Sequence, residues 1–194
     1  MADYRAIPTF CDAVVQLLKS SYRPADFGNN TLDFQIGITQ DSKTVTSGIT
    51  LSPYRIYPNN NNRIPSGRVN PDGTRQKTQL PIDVHFLLTA WGSSPSLQYT
   101  VAGWMMRVLE DTPILPASLL NTADKNVFKQ DEAVEINIAE LTNDDLFRIW
   151  EKLSQQPYQI SVPYVARNIR IESLYQVAVG KAVSERRFNT NPNV

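Results

Sequence analysis

Asp83 and His85 lie two residues apart in Leu80-Pro81-Ile82-Asp83-Val84-His85-Phe86, the spacing that puts both side chains on one face of an extended strand. A carboxylate that orients an imidazole beside a hydroxyl is the arrangement of nucleophilic hydrolysis, and its members need not be adjacent in sequence. The best enzymatic reading available is therefore a small hydrolase or transferase using Asp83, His85 and a serine of the stretch from Pro58 to Gln79. No local motif nominates such a set. His85 is the only histidine and Cys11 the only cysteine, so neither a clustered zinc site nor a thiol–imidazole pair is signalled. Ser66-Gly67 and Asp72-Gly73 lack the glycine spacing and lysine of a phosphate-binding loop. Asp144-Asp145 is a carboxylate pair at a helix start, where capping and compensation of the helix dipole account for it. Trp91, Trp104 and Trp150 fall at a strand end or on helix stripes, where core packing is the ordinary role. The residues thus assign no catalytic group, no metal and no cofactor. They read His85 as a structural or interface histidine and the chain as not an enzyme.

The elements that would position these residues follow from periodicity. In Leu80 to Trp91, Ile82, Val84, Phe86 and Leu88 alternate with Asp83, His85, Leu87 and Thr89, a strand with one fully apolar face. Gly92-Ser93-Ser94-Pro95 breaks it. From Ser96, the expected N-cap, the residues Leu97, Val101, Trp104, Met105, Val108 and Leu109 follow helical spacing to a stop at Asp111-Thr112-Pro113. That helix is about 16 residues, or roughly 24 Å, long.

Before this pair, a helix is predicted from Ile7 or Pro8 to Tyr22, then a strand with Leu32, Phe34, Ile36 and Ile38 on one face, and a turn at Asp41-Ser42-Lys43. A second strand runs from Val45 to Tyr57. Its apolar set shifts from Ile49 and Leu51 to Tyr54 and Ile56, an odd step that swaps faces, which predicts a bulge or bend near Ser52-Pro53. After it come Ile114-Leu115-Pro116 with a short apolar segment to Leu120, and a strand carrying Val134, Ile136 and Ile138. A helix follows, capped by Thr142 with a buried stripe of Leu146, Ile149, Trp150 and Leu153 and closed by Pro157. The longest strand is expected from Tyr158 to Ile171, with Pro163 marking an edge or bulge. Strands mixed with helices make this an α/β (α+β) chain: one compact domain over 1–175, with a mixed, mainly antiparallel sheet flanked by helices, and a C-terminal extension over 176–194. Trp104 and Leu109 are expected in the core.

Composition bounds the function. A chain of 194 residues, 41% hydrophobic and 20% charged, is long enough for one well-buried core. Nineteen basic against nineteen acidic residues leave no overall field to recruit nucleic acid or an anionic membrane, and neither partner is expected. No 18-residue apolar run and no secretory signal is present in the sequence, so no membrane insertion is expected. The lone cysteine suits a reducing compartment.

Charge is distributed unevenly along this neutral chain. Pro58 to Gln79 is net positive by three and Arg167 to Val194 also by three, whereas Thr112 to Gln156 carries eight acidic and four basic residues. Opposite local charge is one way to make different faces of neighbouring subunits attract in a head-to-tail ring; a solvated loop that happens to carry arginines is the plainer alternative. On the first reading the partner contacts are Arg63, Arg68, Arg75, Lys77, Arg186 and Arg187, on segments that order on assembly.

Several separated blocks also carry a resemblance. Ile49-Thr50-Leu51-Ser52-Pro53-Tyr54-Arg55-Ile56-Tyr57-Pro58-Asn59, then Leu80 to Trp91, then Met106-Arg107-Val108-Leu109-Glu110-Asp111-Thr112-Pro113-Ile114-Leu115 resemble the N-terminal domain of the cap, or tail-terminator, proteins of extracellular contractile injection systems. Leu146-Phe147-Arg148-Ile149-Trp150-Glu151-Lys152-Leu153 and Pro157-Tyr158-Gln159-Ile160-Ser161-Val162-Pro163-Tyr164 continue the same order. The resemblance implies a tail-terminator-like fold. It also implies a structural, homohexameric ring that closes the inner tube and the sheath of a phage-tail-like particle at the end far from the baseplate, with the tube protein and the sheath protein as partners. Such a protein is expected in the cytoplasm during assembly and then in a released or cell-anchored particle. A baseplate or tube-initiating adaptor ring of the same particle is the structural alternative. The basic asparagine-rich loop is longer than that pattern, and the chain ends soon after the last shared strand.

Overall fold

The computed structural model describes residues 2–37, 45–63 and 78–173. Six strands form one sheet in the order β1-β2-β3-β6-β5-β4: β1 Asp33–Ile36, β2 Gly48–Pro58, β3 Gln79–Trp91, β4 Ile114–Pro116, β5 Ala133–Ile138 and β6 Ser161–Glu172. β1 pairs with β2 in parallel and every other neighbour is antiparallel. The mixed, mainly antiparallel sheet read from the sequence is borne out. The helices are α1 Ala6–Ser21, α2 Pro95–Asp111, α3 Ala117–Leu120 and α4 Asn143–Leu153.

The alternation in β3 sends Ile82, Val84, Phe86 and Leu88 into the main core, against Phe10, Val14 and Leu18 of α1 and Val101, Met105 and Leu109 of α2. All of these are buried, and burying each large apolar side chain contributes about 1.5–3 kcal/mol. The other face of β3 is covered as well toward the Trp91 end: Leu87 and Thr89 are fully buried and Trp91 joins Val45 and Trp150 of α4 in a second small core. Thr89 meets Ser161 at 2.9 Å and Trp91 Nε1 donates to Thr50 Oγ1 at 3.0 Å, whereas Ser52 Oγ, on β2 opposite Leu87, and Tyr54 OH are buried with no hydrogen-bond partner among the described residues.

The bulge anticipated near Ser52-Pro53 is present: the register slips between Pro53 and Arg55. A second slip, between Ile82 and Val84 against β6, accompanies left-handed Asn168 (φ 61°). Prolines interrupt three interior strands without breaking them. Pro81 O accepts from Asn59 N and Pro163 O from Ala139 N, each one residue past the end of the neighbouring strand, so the reciprocal donor that proline lacks falls just beyond the ladder. Pro163 therefore marks neither a sheet edge nor a bulge, since β6 lies between β3 and β5.

Several expected boundaries move. Ser94, not Ser96, caps α2, accepting from Leu97 N at 3.3 Å with Pro95 as the first helical residue; proline there loses only a donor that the first turn leaves unpaired anyway. β2 begins at Gly48 rather than Val45, and β6 begins at Ser161 and is one residue shorter than β3. α4 stops at Leu153, four residues before Pro157. Trp104 is only partly buried, in an edge-to-face cluster with Tyr22, Phe27 and Phe34, whereas Leu109 is buried as expected. Ile38, the turn at Asp41-Ser42-Lys43 and the extension after 175 lie outside the described residues.

Candidate functional site

The two faces of β3 present different chemistry, and the polar half of its second face holds the residues with which the sequence could have built a reactive site. Asp83 and His85 do share that face. Asp83 Oδ1 accepts from Asn168 N at 2.8 Å, and both carboxylate oxygens accept from Asn59 Nδ2 at 3.3 Å. The carboxylate therefore holds the β6 bulge and the end of β2, and among the described residues no hydrogen bond joins it to His85. His85 is half-buried beside Tyr54, ring centroids 6.0 Å apart. Burial first, then the Arg55 and Arg167 guanidiniums, push its pKa below the ordinary histidine value, against an opposing pull from Asp83.

His85 lines a cleft of about 670 Å³ between the sheet and α4, with Tyr54, Arg55, Glu140, Asp145, Arg148, Glu151 and Lys152 among its walls. The cleft exists because α4 covers the sheet only in part. Thr142 caps α4 through Asp145 N at 3.2 Å, and Asp144 and Asp145 occupy its first turn, as read from the sequence. The expected buried stripe reduces to Trp150; Leu146, Ile149 and Leu153 are only partly covered. Among the described residues its walls carry neither serine nor cysteine, and burial raises the Tyr54 phenol, which keeps it protonated at neutral pH. Cys11 is buried on α1 with its thiol pushed up to about 12, which leaves it unreactive. Among the described residues, no group of three potential ligands is placed to hold a metal ion, and no helix is long and apolar enough to cross a membrane.

Of the predicted contact residues, Arg63 is exposed, directly after a 3-10 turn over Asn60–Asn62 that follows β2. Arg68, Arg75, Lys77, Arg186 and Arg187 lie outside the described residues. Near Arg63 the structure adds residues that the sequence reading passed over. Arg55 stacks over the Tyr57 ring at 4.8 Å, and Ile56, Tyr57 and Leu80 are 50%, 49% and 39% exposed. A second exposed set lies on α4, where Phe147 packs edge-to-face on Tyr158 at 4.9 Å while both stay exposed. Tyr158 in turn rests on Trp150, and Trp150 on Trp91. A phenylalanine off the apolar stripe of an amphipathic helix was the available signal for this surface.

No curated protein matches the chain by sequence. Solved structures that share its fold include two terminators. The tube-terminating cap of the anti-feeding prophage superposes with a TM-score of 0.63 at 14% identity, covering 91% of this chain and 58% of that one. The sheath/tube terminator of a PVC extracellular contractile injection system in the extended state superposes with a TM-score of 0.60 at 13% identity, covering 95% and 65%. This chain thus spans about three fifths of the length of the solved chains it resembles, and the tail-terminator-like fold expected from the sequence is borne out. The family described as the Pvc16 N-terminal domain matches residues 10–185, and the chain belongs to that family.

Proposed function

We propose that this protein is a structural terminator of a contractile injection particle: a homohexameric ring that closes the inner tube and the sheath at the end far from the baseplate. The observation that supports it is the family assignment joined to a fold shared, over nine tenths or more of the chain, with two chains that are a tube-terminating cap and a sheath/tube terminator. The sheet suits a surface that stops growth. Its two outer strands are short, β1 with four residues and β4 with three including Pro116, and short, proline-bearing edges make poor templates for adding further strands. The protein works by binding, with tube, sheath and neighbouring copies as partners, and carries out no turnover. It is made and assembled in the cytoplasm and is then part of the particle.

Removing the gene from cells that make the particle tests this directly. Electron micrographs of the product should show tubes of uncontrolled length or particles without a terminal ring. Particles of normal length that still carry the ring would rule out the terminator role.

A further inference from the structure

α4 is held to the sheet by little besides one side chain. Trp150 is its buried residue, set against Trp91 with ring centroids 6.0 Å apart, whereas Leu146, Ile149 and Leu153 of the same apolar stripe are only partly covered. Among the described residues, no hydrogen bond or ion pair joins Asn143–Leu153 to a strand. The bonds that complete the helix are its own: Thr142 caps it through Asp145 N, and Trp150 Nε1 donates to Gln156 O in the connector that follows, at 3.0 Å. The backbone is tied to the sheet only outside this unit, by Ala139 N to Pro163 O before it and by Ala90 N to Ile160 O after it.

The sheet beneath α4 matches it poorly. Of the strands, β2 is the one it packs over. There Tyr54 OH, at the wall of the 670 Å³ cleft, and Ser52 Oγ, opposite Leu87 on the same face, are buried without a hydrogen-bond partner among the described residues. A hydroxyl in that state keeps its full desolvation penalty and regains hydrogen bonds once water reaches it. Arg55 on the sheet wall and Glu140, Arg148, Glu151 and Lys152 around α4 line the same cleft, yet no ion pair joins them to one another among the described residues. A segment with few buried apolar contacts opens locally at a lower free energy than the core it rests on, and unpaired hydroxyls beneath it lower that free energy further.

We propose that α4 is a hinged flap, which lifts from β2 as a folded helix, with Trp150 leaving Trp91, while the main core stays intact. The sheet face that carries Ser52, Tyr54 and Leu87 is covered in the resting chain and becomes accessible when the flap is up. This inference is independent of the terminator reading, and either stands if the other fails.

The test follows two thiols in the full chain carrying Ser52→Cys: the one introduced at position 52, and native Cys11, which is buried in the main core on α1 and reports global unfolding. In native buffer with excess iodoacetamide, mass spectrometry of the two peptides should show position 52 modified at least about a hundredfold faster than Cys11, because it needs only the flap to open. Adding Trp150→Ala removes the one buried anchor and should speed modification at position 52 by at least about tenfold, with Cys11 unchanged. Adding Tyr54→Phe instead deletes an unpaired hydroxyl and keeps the ring, so it should slow modification by about fivefold. The flap is overturned if position 52 reacts no faster than Cys11, or if Trp150→Ala alters neither rate. It is equally overturned if the Tyr54→Phe chain opens as readily as its parent. Should Trp150→Ala unfold the whole chain, Cys11 accelerates in step and the Tyr54→Phe comparison decides.

Discussion

His85 shows how a residue that suggests catalysis in the sequence can be accounted for by packing. Its ring is held beside Tyr54 between burial and two guanidiniums, which favours the neutral form in the folded chain. The unfolded chain titrates near the ordinary value of about 6.5 and so binds more protons than the folded one just below it. Stability therefore stays at its plateau above about pH 6.5 and is lost as the pH falls through the lowered folded value. Denaturant titrations across this range should show that decline in the wild type and a shallower one in His85→Gln. The variant should otherwise fold and assemble normally. A hydrolytic activity that vanished with His85→Gln would reinstate the enzyme. Asp83 acts through its acceptor bonds to Asn168 N and Asn59, a role that needs a carboxylate but no reaction.

Among the elements, β1 is open to disruption by a single change, because it has four residues and one partner strand. Gly48, at φ 147°, lies opposite Asp33, and a Cβ there would sit 2.0 Å from Asp33 O. Gly48→Ala must therefore displace the β1 backbone, and it should destabilise by more than the roughly 0.4–1 kcal/mol that the same change gains at a compatible site. Hydrogen exchange should rise first in β1, while the β3–β6 ladder stays protected. α2 is fastened to the same edge by Trp104, whose ring meets Phe27 at 5.2 Å and Phe34 at 6.3 Å. Trp104 is only partly buried, so Trp104→Ala should cost about 3 kcal/mol, at the low end of the range for tryptophan truncations. A loss below about 1 kcal/mol, measured by urea unfolding, would mean that the aromatic cluster does not hold the helix.

At the scale of the whole molecule, a neutral chain with an acidic middle and basic segments has charge to spend on contacts rather than on folding. Arg63 is exposed, and Arg68, Arg75, Arg186 and Arg187 belong to the other basic stretches that we propose meet neighbouring subunits, tube or sheath. Changing all five to glutamate should shift unfolding free energy by no more than about 0.5 kcal/mol per site. The same variant should yield uncapped tubes or particles lacking the terminal ring. Normal-length, fully capped particles, counted in micrographs, would remove these arginines from the contact.

The sequence by itself determined the elements and their inward faces. Period-two alternation in Ile82, Val84, Phe86 and Leu88, helical spacing in Leu97, Val101, Met105 and Leu109, and the odd step across Pro53 are local patterns, and local sterics and burial read them directly. Blocks of residues in order were enough to point to the tail-terminator fold. Tertiary structure alone decided how those elements combine. Whether Trp91 faces water depends on where Trp150 of α4 lands, and α4 is encoded more than fifty residues later. That Asp83 is consumed by Asn168 follows from a strand pairing 85 residues apart, and no spacing rule sees such a distance. The exposure of several apolar side chains was hidden for the same reason. Ile56, Tyr57 and Phe147 read as ordinary apolar residues of a strand and a helix, and only the tertiary fold, with β1 pairing no further along β2 than Leu51 and α4 burying Trp150, leaves them at the surface.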